Sequence, residues 1–391
     1  MLVAAEASGD NLGAALARAL AARLGRGVRF VGVGGRRMAE AGIESPFPIA
    51  ELSILGLVEG LLAYRKVRRR AVETAELAAR EAPDVVVLID SWGFTLRVAQ
   101  QIRRRLPDAP LIKYVGPQVW ASRPGRAKTL AATVDHLLTL HRFDAPYFES
   151  EGLSTTFVGS SVMTKSFADA DPARLRAHIG AEPTDPILLV LLGSRPGEIA
   201  RLGASFGDAV RRLAAGRPTL KVVMPVAATV AEQVRAQTAT WPVQPVLIED
   251  EGLKDDAFVA ATCALACSGS VTTELALAGC PMVVGYRLGT LTHMILKRLI
   301  TTRYITLFNI AAAREVAPEL VQDRCTGPAL AAAAARLLDD PEGRAAQIQG
   351  QIAALDAMGR GDVDDPAERA ADAVLGVLAA RSPLNLFDQP R

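Results

Sequence analysis

Asp84-Val85-Val86-Val87-Leu88-Ile89-Asp90-Ser91-Trp92 is the stretch that decides the fold. Its five consecutive apolar residues, Val85 to Ile89, leave no polar face. A strand built from them must be covered on both sides, which is the condition of a parallel sheet flanked by helices. A helical pattern follows from Phe94 to Leu106, and the same alternation extends in both directions. Towards the N-terminus lie an opening strand, a helix over Asn11–Leu24 and a strand over Val28–Val33. Further strands are expected at Leu111–Val115, His136–Leu140 and Thr155–Val158. After a polar stretch at 159–181 the series restarts with Ile187–Leu192, Leu220–Val226, Val246–Ile248, Ala264–Cys267 and Met282–Gly285, then helices over Ala329–Leu338 and Asp365–Leu378. The expectation is α/β twice over: two doubly wound domains, 1–162 and 163–363, with a closing helix at about 364–391 returning to the first. Such sheets bind ligands beyond the carboxyl ends of their strands, so two facing sheets place a ligand in the cleft between them.

Composition narrows the function classes. A chain of 391 residues is long for one core. Hydrophobic residues at 50% and charged residues at 22% describe a globular protein without a disordered tail. A net charge of +2, with no aromatic-plus-basic pattern, argues against nucleic acid as a partner. Cys263, Cys267, Cys280 and Cys325 show no CxxC spacing and fit a reducing compartment. Met1 to Asp10 carries no basic segment leading into an apolar one, so secretion is not expected. The uncharged run Ala257–Thr273 has 17 residues and holds Ser, Thr and Gly, too short to span a bilayer. Gly32-Val33-Gly34-Gly35 has Arg37 where a dinucleotide fingerprint needs its third glycine, and no Gly-Lys-Ser/Thr occurs, which removes dehydrogenases and P-loop enzymes. His136, His141, His178 and His293 are scattered, so neither a metal nor another cofactor is expected.

Several stretches carry chemistry. Asp90 closes its strand at the functional edge, where a carboxylate can take the proton of an attacking hydroxyl or can cap the next helix. Glu6-Ala7-Ser8-Gly9-Asp10 joins a strand to a helix. There Ser8 or Asp10 can supply an N-cap and Gly9 can let the backbone approach a ligand, although a plain capped turn reads equally. In Tyr114-Val-Gly-Pro-Gln118-Val-Trp120-Ala-Ser122-Arg123-Pro-Gly-Arg126, Gln118 can bond sugar hydroxyls, Trp120 can cover an apolar face, and Arg123 or Arg126 can meet a phosphate. A rigid loop with solvated arginines is the alternative.

Gly193-Ser194-Arg195-Pro196-Gly197-Glu198 runs from a strand into a helix. Its N–H groups, the helix dipole and Arg195 can together neutralise a diphosphate leaving group without a metal, with Glu198 pairing to Arg195. Ser268-Gly269-Ser270-Val271-Thr272-Thr273-Glu274 repeats the pattern. Glu274 suits a ribose diol there, and Ser270 is the alternative as a helix cap. Finally, Leu52 to Arg70 pairs an apolar segment, with Leu55, Leu57, Leu61 and Leu62, to Arg65, Lys66, Arg68, Arg69 and Arg70. That combination fits an anionic lipid surface, or a core helix with a solvated basic end.

Together these stretches resemble the lipid-A-disaccharide synthase family over nearly the whole chain. The resemblance is carried by Glu6 to Asp10, Ile89-Asp90, Tyr114 to Ala121, Gly193-Ser-Arg195-x-x-Glu198 and Ser268-Gly-Ser-x-Thr-x-Glu274. Pro281 to Arg287, Tyr304-Ile-x-Leu-x-Asn309 and Arg314-Glu-Val-x-Pro-Glu319 continue it. It implies Rossmann-like domains in the GT-B arrangement and an inverting transfer of diacylglucosamine from a UDP-diacylglucosamine donor to a diacylglucosamine 1-phosphate acceptor. By the same resemblance Asp90 is the base, and Arg195, Glu274, Arg287 and Asn309 hold UDP. A cytoplasmic protein, peripheral on the inner membrane, is implied, and a second copy of the chain is a further candidate partner. Gly93, Thr95, Ser122, Ser160-Ser161 and Leu192 depart from the family's usual residues. Competing readings are a MurG-like transferase or an epimerase of the same architecture, and a non-catalytic nucleotide-sugar or lipid-binding protein. The stretch at 52–70 favours lipid.

Overall fold

Val86, Val87, Leu88 and Ile89 are all fully buried and form the strand their composition demands. Alternate residues serve opposite faces of one sheet: Val86 and Leu88 join one core, Val87 and Ile89 the other. The computed structural model describes residues 1–52, 60–289 and 299–381, with the backbone alone at 26 and 60–63. Leu55, Leu57 and His293, and the side chains of Leu61 and Leu62, lie outside the described residues.

The chain divides into two compact units, Met1–Ser160 with Asp362–Arg391, and Ser161–Gly361. The first holds β1 (Leu2–Ala4), β2 (Gly32–Val33), β3 (Val86–Ile89), β4 (Leu111–Tyr114), β5 (His136–Thr139) and β6 (Ser154–Phe157). They form one parallel sheet in the order β2-β1-β3-β4-β5-β6. One face is covered by the helices Gly60–Glu81 and Trp92–Arg105, the other by Ala7–Leu24 and the closing helix Pro366–Arg381, whose Ala370, Ala371 and Val374 enter the core.

The second unit holds β7 (Ile187–Leu191), β8 (Lys221–Pro225), β9 (Val246–Ile248), β10 (Cys263–Cys267), β11 (Met282–Tyr286) and β12 (Glu319–Val321), parallel in the order β12-β11-β10-β7-β8-β9. Leu188, Val190 and Leu192 pack there against Phe206, Ala209 and Leu213 of the helix Pro196–Ala215, and against Leu330, Ala334 and Leu337 of Gly327–Asp339. Burying each of the Leu, Val and Phe side chains contributes about 1.5–3 kcal/mol. All four cysteines are buried in this unit with free thiols.

The structure corrects three local expectations. The strand sought over Val28–Val33 is only Gly32–Val33, which pairs in register with Leu2 and Val3. The first long helix begins at Ala7, not Asn11, with Glu6 at the N-cap and no side-chain cap, so neither Ser8 nor Asp10 caps it. The short strand Glu319–Val321 was not anticipated, since its alternation is hidden inside a charged, proline-bearing segment.

Candidate active site

In the first sheet the connections diverge between β1 and β3, which makes the carboxyl end of that pair the switch point where doubly wound sheets bind ligands. There β1 leads into the Ala7 helix and β3 into Asp90 and Ser91. Ser8 Oγ donates to Asp90 Oδ2 at 2.7 Å. Among the described residues the other carboxylate oxygen of Asp90 accepts no hydrogen bond. The following helix has Ser91, not Asp90, at its N-cap, so the capping role is removed and the carboxylate remains available. Asp90 and Ser91 have φ of 50° and 40°, and Val115, at the end of the next strand, has 70°. Side chains rarely tolerate this left-handed region, least of all a β-branched one, and such strain gathers at functional sites.

Beneath Asp90 lies a residue that sequence reasoning passed over. Lys113, in β4, is 2% exposed. Its Nζ donates to the Asp90 carbonyl oxygen and, at 2.9 Å, to Thr95 Oγ1. Burial pulls its pKa down to about 7, against the pull of the Asp90 and Glu6 carboxylates.

The remaining first-unit candidates separate into two groups. Glu6, Ser8, Gln118 and Arg123 are exposed, and Trp120 is half-buried. Trp120 donates Nε1 to Asp144 at 2.8 Å and meets Phe143 edge-on at 5.6 Å. Burial raises Asp144 to about 6 and lowers the neighbouring His141 to about 4. The Arg126 guanidinium lies 5.2 Å from the Trp92 ring centre and brings this loop to the end of β3.

Gly9 and Asp10, by contrast, serve the fold. A Cβ on Gly9 would lie 3.3 Å from the Ala4 side chain and 3.4 Å from the Ile89 carbonyl oxygen, so the close approach is to the chain's own strands. The buried Asp10 carboxylate accepts from the backbone N–H groups of Gly35 at 2.7 Å, Arg37 at 2.9 Å and Met38 at 3.0 Å, which caps the short helix Arg36–Glu40.

The second unit has its own switch point, between β7 and β10. A pocket opens there, lined by Gly193, Ser194, Arg195, Glu198, Ser268, Gly269, Ser270 and Glu274 among others, with Pro225 to Ala227 closing one side. The helices Pro196–Ala215 and Ser270–Leu277 both begin at this pocket, at Arg195 and Gly269, without side-chain caps. Ser270 is therefore not the cap. Uncapped N-termini leave N–H groups and the positive dipole end free for an anion. The buried Glu198 accepts from Ser194 N at 3.2 Å and Arg195 Nη1 at 3.1 Å, and most of the Arg195 side chain stays in solvent. Gly193 has φ of 104°, and a Cβ there would strike the Glu198 carboxylate, so only glycine fits this turn.

Glu274 is occupied. Lys165 Nζ bridges it at 2.9 Å and Asp255 at 2.7 Å, and lies 4.8 Å from the Phe167 ring centre. Lys165 sits in the polar stretch after β6, where nothing in the sequence ties it to a residue over a hundred positions away.

Two expected nucleotide ligands do not join the pocket. Asn309 is fully buried with its whole amide committed: Nδ2 donates to Ala317 O at 2.9 Å and Glu319 Oε1 at 2.8 Å, while Oδ1 accepts from Val316 N at 2.7 Å and Ala317 N at 3.1 Å. Glu319 also accepts from Ile305 N, Thr306 N and Thr306 Oγ1 at 2.6–2.9 Å. The Tyr304–Asn309 and Arg314–Glu319 motifs are thus two halves of one buried polar knot. Arg287 lies outside the pocket lining, its Nε buried without a partner among the described residues.

In the described part of the basic segment, the helix Gly60–Glu81 buries Val67, Ala71, Ala75 and Ala78 at helical spacing. Arg70, expected at lipid phosphates, instead bonds Glu51 at 2.7 Å and Glu73 at 2.6 Å and stacks 4.5 Å from the Phe47 ring centre. Arg69 Nε lies 3.5 Å from Glu73, while Arg65 and Arg68 are exposed. No helix among the described residues is long and apolar enough to cross a membrane.

A family profile described as lipid-A-disaccharide synthetase matches residues 1–370. The chain belongs to the lipid-A-disaccharide synthase family. The synthase of Rhodospirillum centenum is 43% identical over 380 residues, covering 97% of this chain and 94% of that protein. That of Ruegeria pomeroyi is 44% identical over 383 residues, covering 96% and 94%. In solved structures the fold resembles a putative UDP-N-acetylglucosamine 2-epimerase from Listeria monocytogenes, with TM-score 0.60 and 15% identity, covering 100% of this chain and 97% of that one. It also resembles Acinetobacter baumannii MurG, with TM-score 0.57 and 16% identity, covering 96% and 99%. At such identities they share the GT-B fold alone. Membership in the lipid-A-disaccharide synthase family makes this chain a glycosyltransferase that forms the lipid A disaccharide, and the epimerase and MurG-like readings fall away.

Proposed function

We propose that the reaction joins UDP-2,3-diacylglucosamine to 2,3-diacylglucosamine 1-phosphate through a β-1,6 bond and releases UDP by direct, inverting displacement. Asp90 acts as the base. As the acceptor oxygen bonds to the anomeric carbon, its proton passes to the Asp90 carboxylate, and the breaking bond leaves its electron pair on UDP. What carries this reading is the Asp90 carboxylate at the switch point, one oxygen held by Ser8 at 2.7 Å. Glu6, Gln118, Trp120 and Arg123 are the candidates for holding the acceptor.

On the donor side the uncapped helix starts at Arg195 and Gly269 would take the diphosphate. Gly193, Ser268, Gly269 and Ser270 supply backbone N–H groups, and the solvent-exposed Arg195 swings onto the developing charge. Glu274 takes the ribose diol in exchange for the Lys165 ammonium. The chain works at the cytoplasmic face of the inner membrane, where Arg65 and Arg68 meet lipid phosphates.

The test is to incubate the purified protein in mixed micelles with both substrates and follow UDP and disaccharide by mass spectrometry. Appearance of both supports the reading. Absence of disaccharide from a protein that still binds UDP would overturn it in favour of a non-catalytic binding protein.

A further inference from the structure

Lys113 occupies the middle of β4, paired in register with Leu88 and Leu137, where an apolar side chain would suffice. An ammonium buried there is costly to hold unless it has work to do. Among the described residues it forms no salt bridge. Instead Nζ reaches the Asp90 carbonyl oxygen and Thr95 Oγ1, and Thr95 Oγ1 itself lies 2.8 Å from that same carbonyl oxygen and 3.0 Å from that of Ser91. Two donors therefore converge on the backbone of the two consecutive residues held at positive φ, Asp90 and Ser91.

We propose that Lys113 is a positioning residue: by gripping the Asp90 carbonyl it holds the Asp90-Ser91 pair in its left-handed conformation and thereby aims the carboxylate that takes the acceptor's proton. The inference rests on Asp90 being the base. The groups facing Lys113 are the Asp90 carbonyl, the Thr95 hydroxyl, and the Asp90 and Glu6 carboxylates, whose charges oppose the effect of burial. Because burial brings its pKa to about 7, the ammonium loses a proton as the pH rises through neutrality. A neutral amine is a weaker donor to both oxygens, so turnover should fall on the alkaline side as Lys113 titrates.

Lys113→Met keeps the side chain's length and removes its donors; Thr95→Val removes the bridging hydroxyl at similar size. Both are compared with wild type and Asp90→Asn for kcat, KM, UDP affinity, thermal midpoint and the pH profile of kcat. The expected result for Lys113→Met is a roughly hundredfold loss of kcat, the scale of a misplaced catalytic group, with UDP affinity unchanged and the alkaline fall near neutrality abolished. Thr95→Val should lose about tenfold in the same pattern. A folded Lys113→Met enzyme with wild-type kcat and an unmoved alkaline limb overturns the inference. If Lys113→Met does not fold, a Thr95→Val enzyme with wild-type kcat and pH profile overturns it. Should Asp90→Asn retain turnover, the base assignment fails and takes this inference with it. An inactive Asp90→Asn beside a fully active Lys113→Met defeats the positioning role alone.

Discussion

Ser8 Oγ and Asp90 Oδ2 stand 2.7 Å apart although 82 positions separate them in sequence. The contact exists because β1 and β3 are neighbours and their outgoing helices start side by side at the switch point. It fixes one carboxylate oxygen and leaves the other for a proton. If Asp90 is the base, Asp90→Asn, which keeps the shape and the Ser8 contact, should lower kcat by about 10²–10⁴-fold. UDP affinity should be unchanged. Ser8→Ala loses only the steadying bond, so about a fivefold fall in kcat is expected, the rate equivalent of ~1 kcal/mol. Steady-state kinetics with UDP binding by calorimetry decide the matter; a loss of tenfold or less in Asp90→Asn sinks the base assignment.

Arg195 is tethered to Glu198 at 3.1 Å yet keeps most of its side chain in solvent, a reserve cation at an uncapped helix start. Arg195→Ala should weaken UDP binding about tenfold or more, as expected for losing a charge-assisted bond to phosphate. Uridine, which lacks the diphosphate, should bind the variant as it binds the wild type. Equal loss for both ligands would mean that the substitution distorts the turn instead.

The fold was legible because Val85–Ile89 and its counterparts are too short and too uniformly apolar to be anything but strands covered on both faces. Asp90 and the Gly193 and Ser268 turns were legible for a related reason, since a strand's carboxyl end advertises where its ligand sits. What stayed hidden depends on partners far apart in sequence. Lys113 reads as a stray polar residue in Leu111-Ile-Lys113-Tyr until β3 and Thr95 surround it. Asp10 reads as a loop acid until the N–H groups of residues 35, 37 and 38 close on it. Motif membership also hid a distinction, because Asn309 and Arg195 belong equally to the family pattern while one is buried in a knot and the other faces solvent.

That knot gives the third prediction. Removing the Asn309 amide strands the N–H groups of Val316 and Ala317 and takes a donor from Glu319, all in the interior. Asn309→Ala should therefore destabilise the protein by about 2–4 kcal/mol in denaturant titrations, since buried polar groups without partners are costly. UDP affinity of the folded variant should be unchanged. A stable variant that has lost UDP would return Asn309 to the nucleotide site.

Arg70 and the pair Arg65 and Arg68 lie on one helix and should behave as opposites. Arg70 is held by Glu51 and Glu73 and packed on Phe47, so its charge is already answered within the protein. Arg65 is exposed, and Arg68 lies 6.0 Å from the Tyr64 ring centre with its charge facing solvent. Each basic residue near an anionic bilayer contributes about 1 kcal/mol, so Arg65→Ala with Arg68→Ala should weaken binding to phosphatidylglycerol vesicles about thirtyfold. Raising the salt concentration should shrink that difference, because the attraction is screened beyond a Debye length. Arg70→Ala should instead lower stability by about 1–2 kcal/mol through lost packing and pairing while leaving vesicle affinity unchanged. Vesicle co-sedimentation at two ionic strengths, with thermal melts of the same proteins, separates the roles. If Arg70→Ala abolished vesicle binding and the double variant did not, the lipid-facing side of the helix would have to be redrawn around Arg70.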